Sequence, residues 1–208
     1  MQNINPTRAE LQNVKSRIKL ADSGHKLLKK KRDGLIIEFY SVLKDAKNMR
    51  SELNELYKKA YGSMMEVSAL EGTTEIKSLS LALKDHPSVE LSVKNIMGVK
   101  IPQIAKGKIR KTLEERGYGL LSASMRMDEM AENYEILLEK TLEVAEVETK
   151  LRKLLMEIEK TKRRVNALEY ILIPQLQQQK RIIALHLEEM DRETTFRLKK
   201  IKLKVLAK

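Results

Sequence analysis

The sequence predicts a mainly α protein: a long antiparallel two-helix coiled coil made from the N- and C-terminal helices, with a small middle region holding a short helix and a β-hairpin. Three observations predict it. Charged residues make up 34% of the 208-residue chain and aromatics only 4%, with no Trp and two Phe, the composition of long helices rather than of an aromatic-rich globular core. Apolar residues recur at a 3.5-residue period through both ends. Most of the glycines and prolines fall in the middle. The organisation expected is an N-terminal coiled-coil helix over 1–61, a middle region over 62–119 with its hairpin at about 88–105, and a long C-terminal helix over 120–208, kinked near Pro174.

The first helix begins at a capping box. Thr7 is followed three residues later by Glu10, with Pro6 just outside, so side chain and backbone satisfy each other's free donors. Alternate steps of three and four from Leu11 then meet Val14, Ile18, Ala21, His25, Leu28, Arg32, Leu35, Phe39, Val42, Ala46, Met49, Leu53, Leu56 and Ala60. A seam held that long argues for a left-handed coiled coil. Gly24 and Gly34 each lower local helicity by about 1 kcal/mol relative to Ala and are expected to mark close approach of another backbone.

In the middle region Gly62, Gly72, Pro87, Gly98, Pro102, Gly107 and Gly117 punctuate the chain. SVELSVKNI alternates apolar and polar residues as a half-buried strand does, and MGVKIPQI follows at once. Pro102 suits an edge strand, and the turn belongs near Asn95 to Gly98. KGKIRKTLEERG, residues 106–117, reads as a short basic helix ending at Gly117.

In the C-terminal region Met130, Leu137, Val144, Leu151, Ile158, Val165 and Leu172 recur at every seventh position, with Val147, Leu154 and Leu168 on the alternate positions. After Pro174 the phase changes: Leu176, Ile183 and Met190 carry the step, and Ile182, Leu187, Phe196, Leu198 and Ile201 widen the stripe. Pro174 removes one helical hydrogen bond and crowds the carbonyl of Tyr170, so a bend is expected there. At 1.5 Å per residue the terminal helices span roughly 80 and 120 Å, too long to fold inside a compact chain of this size, with a radius of gyration of about 17 Å. They are expected to brace each other antiparallel, with Arg163 and Arg164 on the pairing surface and Asp45 or Glu52 as possible partners.

Signals for chemistry are sparse. There is no Cys, hence no thiolate ligand or nucleophile. GVKIPQIAKGK lacks the spacing of a phosphate loop, since Ile109 follows Lys108. His25, His86 and His186 lie far apart, and two of them fall on seams. Glu188, Glu189, Asp191 and Glu193 spread around a helix beside Arg192 and Arg197, as solvated ion pairs do. Met64, Met65, Met125, Met127 and Met130 read as flexible core filler rather than a binding groove. No catalytic, cofactor-binding or metal-binding residue is expected. No run of about 18 uncharged apolar residues suggests a membrane span, and MQNINPTRAE lacks the apolar stretch of a signal peptide.

The net charge of +12 fits an acidic protein partner, nucleic acid or an anionic surface. It concentrates in Lys29, Lys30, Lys31 and Arg32, and in Arg197, Lys199, Lys200, Lys202 and Lys204. No aromatic residues interleave with these lysines, which argues against single-stranded nucleic acid. Phe196 alone is thin support for a membrane-surface helix. A generic coiled-coil scaffold, and a basic rod binding nucleic acid or a membrane surface, are the alternative readings.

KTKRRVNALEYILIPQL and IIALHLEEMDRETTFRLKKIK, NPTRAELQNVKSRIKLADSGHKLLKKKRDGLIIEFY near the start, and VKNIMGVKIPQI in the middle resemble the D subunit of the V-type and archaeal A-type ATP synthases over nearly the whole chain. The length and the lack of a C-terminal extension look more like the archaeal or bacterial form. The resemblance implies a non-catalytic central rotor shaft that couples a ring of A and B subunits to the membrane ion-translocating rotor. No cofactor is implied. The expected location is cytoplasmic and peripheral to the cell membrane, without insertion. The expected partners are the A and B hexamer, the F subunit of the stalk and the C subunit, with no nucleic acid. The basic tracts at 29–32 and 197–204 become the candidates for hexamer contact. Val93, Ile96, Met97, Val99 and Ile101 become the candidates for contact with the stalk subunits. Pro174 becomes a source of the asymmetry that a rotating shaft needs.

Overall fold

The computed structural model describes residues 6–82, 88–107, 109–112, 116 and 124–206. Its elements are α1 (Arg8–Leu70), α2 (Thr73–Ala82), β1 (Val89–Ile96), β2 (Val99–Lys106), α3 (Met125–Ala167), a π-helical turn (Leu168–Leu172) and α4 (Ile173–Leu206). The fold is mainly α, with long N- and C-terminal helices that pack together and one two-stranded antiparallel hairpin. The chain divides into two compact units, residues 1–34 with 158–208, and residues 35–157.

The first helix starts where the capping box predicts. The Glu10 N–H donates to Thr7 Oγ1 at 3.2 Å, and the Leu11 N–H to the Thr7 carbonyl at 3.0 Å. Every seam position from Leu11 to Ala60 is buried or half-buried, with Val14, Ala21, Leu35, Val42 and Ala60 fully buried. Gly62 does not end the helix. Val67, seven residues after Ala60, is 1% exposed and extends the seam, and the helix runs on to Leu70: an apolar stripe that stays covered as far as Val67 outweighs the modest cost of one helical glycine. Nothing lies within 4 Å of a Cβ built on Gly24, so no backbone approaches closely there, contrary to expectation.

In the first unit, Arg8 pairs with Asp191 at 3.0 Å and His25 with Glu169 at 3.4 Å. Numbers rising along α1 meet numbers falling along its partner, as antiparallel packing requires. Val14 and Ala21 belong to the α1 side of this core, and Thr161, Val165, Leu176 and Ile183 to the other. The apolar phase change takes physical form here. Before the π turn the buried positions include Thr161 and Val165; after it they are Leu176 and Ile183, one residue later than an unbroken alternation of three and four would place them. A π turn carries one extra residue, and the Ile173 N–H accordingly bonds the Leu168 carbonyl, five residues back. Leu172, expected on the seam, is therefore swung outward and 42% exposed, and Met190 is 49% exposed. Pro174 sits at the second position of α4.

The second unit is antiparallel too. Lys150 Nζ meets Glu38 at 2.7 Å, Lys140 Nζ meets Glu52 at 2.8 Å, Asn133 Nδ2 reaches Ser63 Oγ at 3.5 Å, and the Ser124 hydroxyl donates to Glu71. Glu52 thus pairs with Lys140 rather than with the arginines at 163–164, because the antiparallel register that brings Lys150 to Glu38 also brings residue 140 beside residue 52. Met127, Leu137, Val144 and Leu154 line the α3 side of the core, Leu154 with no exposure.

The hairpin closes on Met97 (φ 50°) and Gly98 (φ 86°), both left-handed as a type I′ turn demands. Ile96 faces Val99 and Val93 faces Pro102. In a two-residue hairpin the closing pair exchanges hydrogen bonds and the pairs alternate from there. Pro102 therefore occupies a non-bonded pair, where its missing N–H costs nothing. At the open end, a Cβ on Gly107 would lie 2.7 Å from the Ser88 carbonyl oxygen, so only glycine fits that approach. Two expectations fail in this region. Thr73–Ala82 forms an additional helix, α2. Ile109–Thr112 is not helical; the Lys111 N–H bonds a Glu135 carboxylate oxygen at 3.3 Å instead of a helical carbonyl. Of the rest of the expected basic helix, Lys106 ends β2, and residues 108, 113–115 and 117 lie outside the described residues, as does His86.

Candidate functional site

The candidate residues form several surfaces rather than one pocket. Among the described residues no group of three or more His, Cys, Asp or Glu side chains could hold a metal ion, and no helix is long and apolar enough to cross a membrane.

The two basic tracts lie apart within the first unit. Lys29 and Lys30 are exposed, Lys31 and Arg32 half-buried, and Arg32 binds the neighbouring Asp33 carboxylate at 2.8 and 3.0 Å. The second tract lies on the stretch of α4 beyond Asp191. Since Asp191 meets Arg8 at the start of α1, residues 192–206 continue past the end of their partner helix, and all are exposed. With 21 residues between Arg8 and Lys29, the two tracts stand roughly 40 Å apart along the helices. Arg197 pairs with Glu193 at 3.2 Å, Lys200 lies 5.8 Å from the Phe196 ring centre, and Lys199 shares a shallow hollow with Asp191, Arg192, Thr195 and Phe196. Lys202 and Lys204 are exposed. At 100° per residue, Phe196 and Leu203 fall on one side of this stretch and Leu198, Ile201 and Val205 on the opposite side. A helix apolar on two opposite sides suits an enclosing partner better than a flat surface.

Arg163 and Arg164 are both exposed. Arg164 borders an almost wholly apolar groove with Leu28, Ala167, Leu168, Ile171 and Leu172. Beside it Tyr170 is 71% and Ile171 57% exposed. The π turn thus presents an apolar knuckle, to which Leu172, a residue the heptad pattern places inside, also belongs.

The expected stalk-contact residues split by face. Ile101 (2%) and Val99 (7%) are buried within this chain and Ile96 is half-buried, whereas Val93 (67%) and Met97 (52%) are exposed. The alternation of strand side chains separates Val93 from the other strand positions. α3 fastens the outer edge of β2: Glu146 accepts the Ile104 N–H at 3.2 Å, and Lys153 Nζ donates to the Lys100 carbonyl at 3.1 Å.

Two polar centres in the second unit escaped the sequence reading. Arg116 is 7% exposed and is held by Glu135 at 3.1 and 3.2 Å and by Asp128, whose carbonyl it reaches at 3.3 Å and whose carboxylate at 3.5 Å. Tyr57 and Tyr61 stack at 6.1 Å on α1, and the nearby Tyr134 hydroxyl donates to Met64 Sδ at 3.0 Å. Burial pushes the Tyr134 phenol above the ordinary tyrosine value, and Tyr57 and Tyr61 reinforce it. The methionines divide: Met127 is 3% exposed and serves as core, while Met64, Met65 and Met125 are 39%, 56% and 90% exposed. Spacing i, i+4 on α1 would have found the tyrosine pair. The Arg116 cluster joins residues that no local pattern connects.

The profile of the ATP synthase D-subunit family matches residues 10–203. The D subunit of the A-type ATP synthase of Methanosarcina acetivorans is 50% identical over 201 residues, covering 97% of this chain and 96% of its own. That of Methanococcoides burtonii is 52% identical over 199 residues (96% and 97%), and that of Archaeoglobus fulgidus 49% over 205 (98% of each). Continuous identity at that level, on helices that pair and a hairpin that closes as described, means that the chain belongs to the ATP synthase D-subunit family, the non-catalytic central-stalk subunits of A-type and V-type ATP synthases.

Proposed function

We propose that this chain is the rotor shaft of an A-type ATP synthase, carrying rotation between a nucleotide-binding hexamer of A and B subunits and the membrane ion-translocating rotor. The observation that carries the reading is the stretch of α4 beyond Asp191, exposed throughout, apolar on two opposite sides and basic between them, on a chain of this family. Such a tip suits a collar that surrounds it. Arg197, Lys199, Lys200, Lys202 and Lys204 give it positive charge able to follow acidic groups on successive subunits. Lys29, Lys30, Lys31 and Arg32 form the second hexamer-facing patch, and the apolar knuckle beside Arg164 and Pro174 lies between the two. Below, the shaft meets the F and C subunits of the stalk. Val93 and Met97 on the hairpin are candidate contacts, and the exposed Tyr57, Tyr61 and Met64 supply the aromatic and thioether anchors that protein interfaces favour. The complex holds the chain at the cytoplasmic face of the membrane, with no insertion of its own.

The test is reconstitution with the hexamer and a bead on a single introduced cysteine. ATP-driven rotation of the bead is expected. Replacing Lys199, Lys200, Lys202 and Lys204 together by Glu should weaken hexamer binding by at least about tenfold, given the strength of interfacial charge pairs. A chain that binds the hexamer but never turns with ATP would defeat the shaft reading.

A further inference from the structure

The two edges of the hairpin are treated differently. On β2 two of the outward backbone groups are taken by α3, the Ile104 N–H by Glu146 and the Lys100 carbonyl by Lys153. On β1 the outward groups belong to Val89, Leu91, Val93 and Asn95, the alternate members of the pairing with β2. All four residues are exposed, Leu91 at 70% and Val93 at 67%. Natural edge strands are commonly blunted by proline, bulges or short length. β1 runs eight residues with no proline and no glycine.

The strand is complementary to itself about Ser92. Turned antiparallel on a second β1 with Ser92 opposite Ser92, Leu91 faces Val93, Val89 faces Asn95, and Glu90 faces Lys94 on both sides of the axis. The hydrogen-bonding parity agrees. Leu91, Val93, Val89 and Asn95 carry the outward N–H and carbonyl groups, and these fall into bonded pairs, giving about eight backbone hydrogen bonds. Moving the axis to Leu91 or to Val93 sets Glu90 opposite Ser92 or Ile96 and loses both charge pairs.

We propose that two copies of the free chain join edge to edge through β1, antiparallel, with Ser92 on the two-fold axis. The product is a four-stranded sheet, β2-β1 of one copy continued by β1-β2 of the other. The Glu90–Lys94 pairs select the register, and Leu91 and Val93 of the two copies form a shared apolar strip. The proposal concerns the chain outside any complex and does not rest on the shaft reading.

Sedimentation of the full chain at tens of micromolar should show a dimer. Leu91→Pro removes an outward N–H that β2 does not use, as Pro102 shows is tolerated within this hairpin, and should raise the dissociation constant at least about tenfold. Glu90→Lys alone sets Lys against Lys and Lys94→Glu alone sets Glu against Glu, so each should be monomeric. An equimolar mixture of the two should form a heterodimer, and the double exchange should dimerise again. Ser92→Cys introduces the chain's sole thiol. At a non-bonded antiparallel pair the Cα atoms stand about 4.5 Å apart, within the disulfide range, so copper–phenanthroline oxidation should cross-link it far faster than Ser51→Cys on α1. A monomeric wild-type chain, a dimer that survives Leu91→Pro, or equal cross-linking at positions 92 and 51 would each overturn the proposal.

Discussion

The two units solve the same packing problem with different chemistry. In the first, α1 meets the π-turn region and α4 through a narrow apolar seam, flanked by the His25–Glu169 contact and closed at its end by an ion pair that sits largely in water: Arg8 and Asp191 are 81% and 64% exposed. In the second, the helices carry a hairpin and an irregular segment, and polar side chains turn inward to hold them. Glu135 serves both the Arg116 guanidinium and the Lys111 N–H, and Glu146 and Lys153 hold the edge of β2. Helices satisfy their own backbones, so a helix pair needs only apolar contact. A hairpin edge and an extended segment leave donors and acceptors that something else must meet.

The comparison predicts that polar substitutions are costly in the second unit and cheap in the first. The largest effect belongs to Glu135→Ala, which takes away the carboxylate that holds the buried Arg116 guanidinium at 3.1 and 3.2 Å; about 3 to 4 kcal/mol of stability should be lost in urea unfolding of the full chain. A loss near zero would make the Arg116 cluster incidental. Next comes Ile183→Ala, at a fully buried position of the first unit, with about 3 kcal/mol from lost burial and the cavity left behind. If this costs less than 1 kcal/mol, the seam beyond the π turn is not the stabilising surface.

Lys140→Met should cost about 0.5 to 1 kcal/mol near neutral pH, as partly exposed ion pairs do. Hydrogen bonds that the Lys140 ammonium donates to Glu52, and then to Glu143, hold it above its ordinary range despite some burial. A folded value above the unfolded one, about 10.4, means the contribution is complete below that pH and fades as pH rises through the folded value. The gap between wild type and variant should therefore close in strongly alkaline buffer; a constant gap from pH 8 to 12 would assign it to packing alone. Arg8→Ala should be the smallest effect, below about 0.5 kcal/mol, and a larger loss would show that the first unit also depends on polar links.

Much of the fold was legible because it rests on local periodicity. The capping box at Thr7, the seam from Leu11 to Ala60 and the hairpin turn are each written in residues close together in the chain. Gly62 misled because a helix breaker was weighed without the covered stripe that continues to Val67. Leu172 misled because a heptad count cannot register a π turn, although the phase change after it was visible. Of the candidate surfaces, the basic tracts were legible as charge. The split of Val93 and Met97 from Val99 and Ile101 was not, since alternation says which residues share a face but not which face is covered.

Periodicity, caps and turn residues by themselves determined that this protein is two long helices around a hairpin, because the backbone geometry they report extends over a few residues. The tertiary structure alone decided the register that brings Lys140 to Glu52, the burial of Arg116 and the capture of one hairpin edge by α3. Those depend on which distant segments meet, and ion pairs and backbone groups act only over a few ångströms.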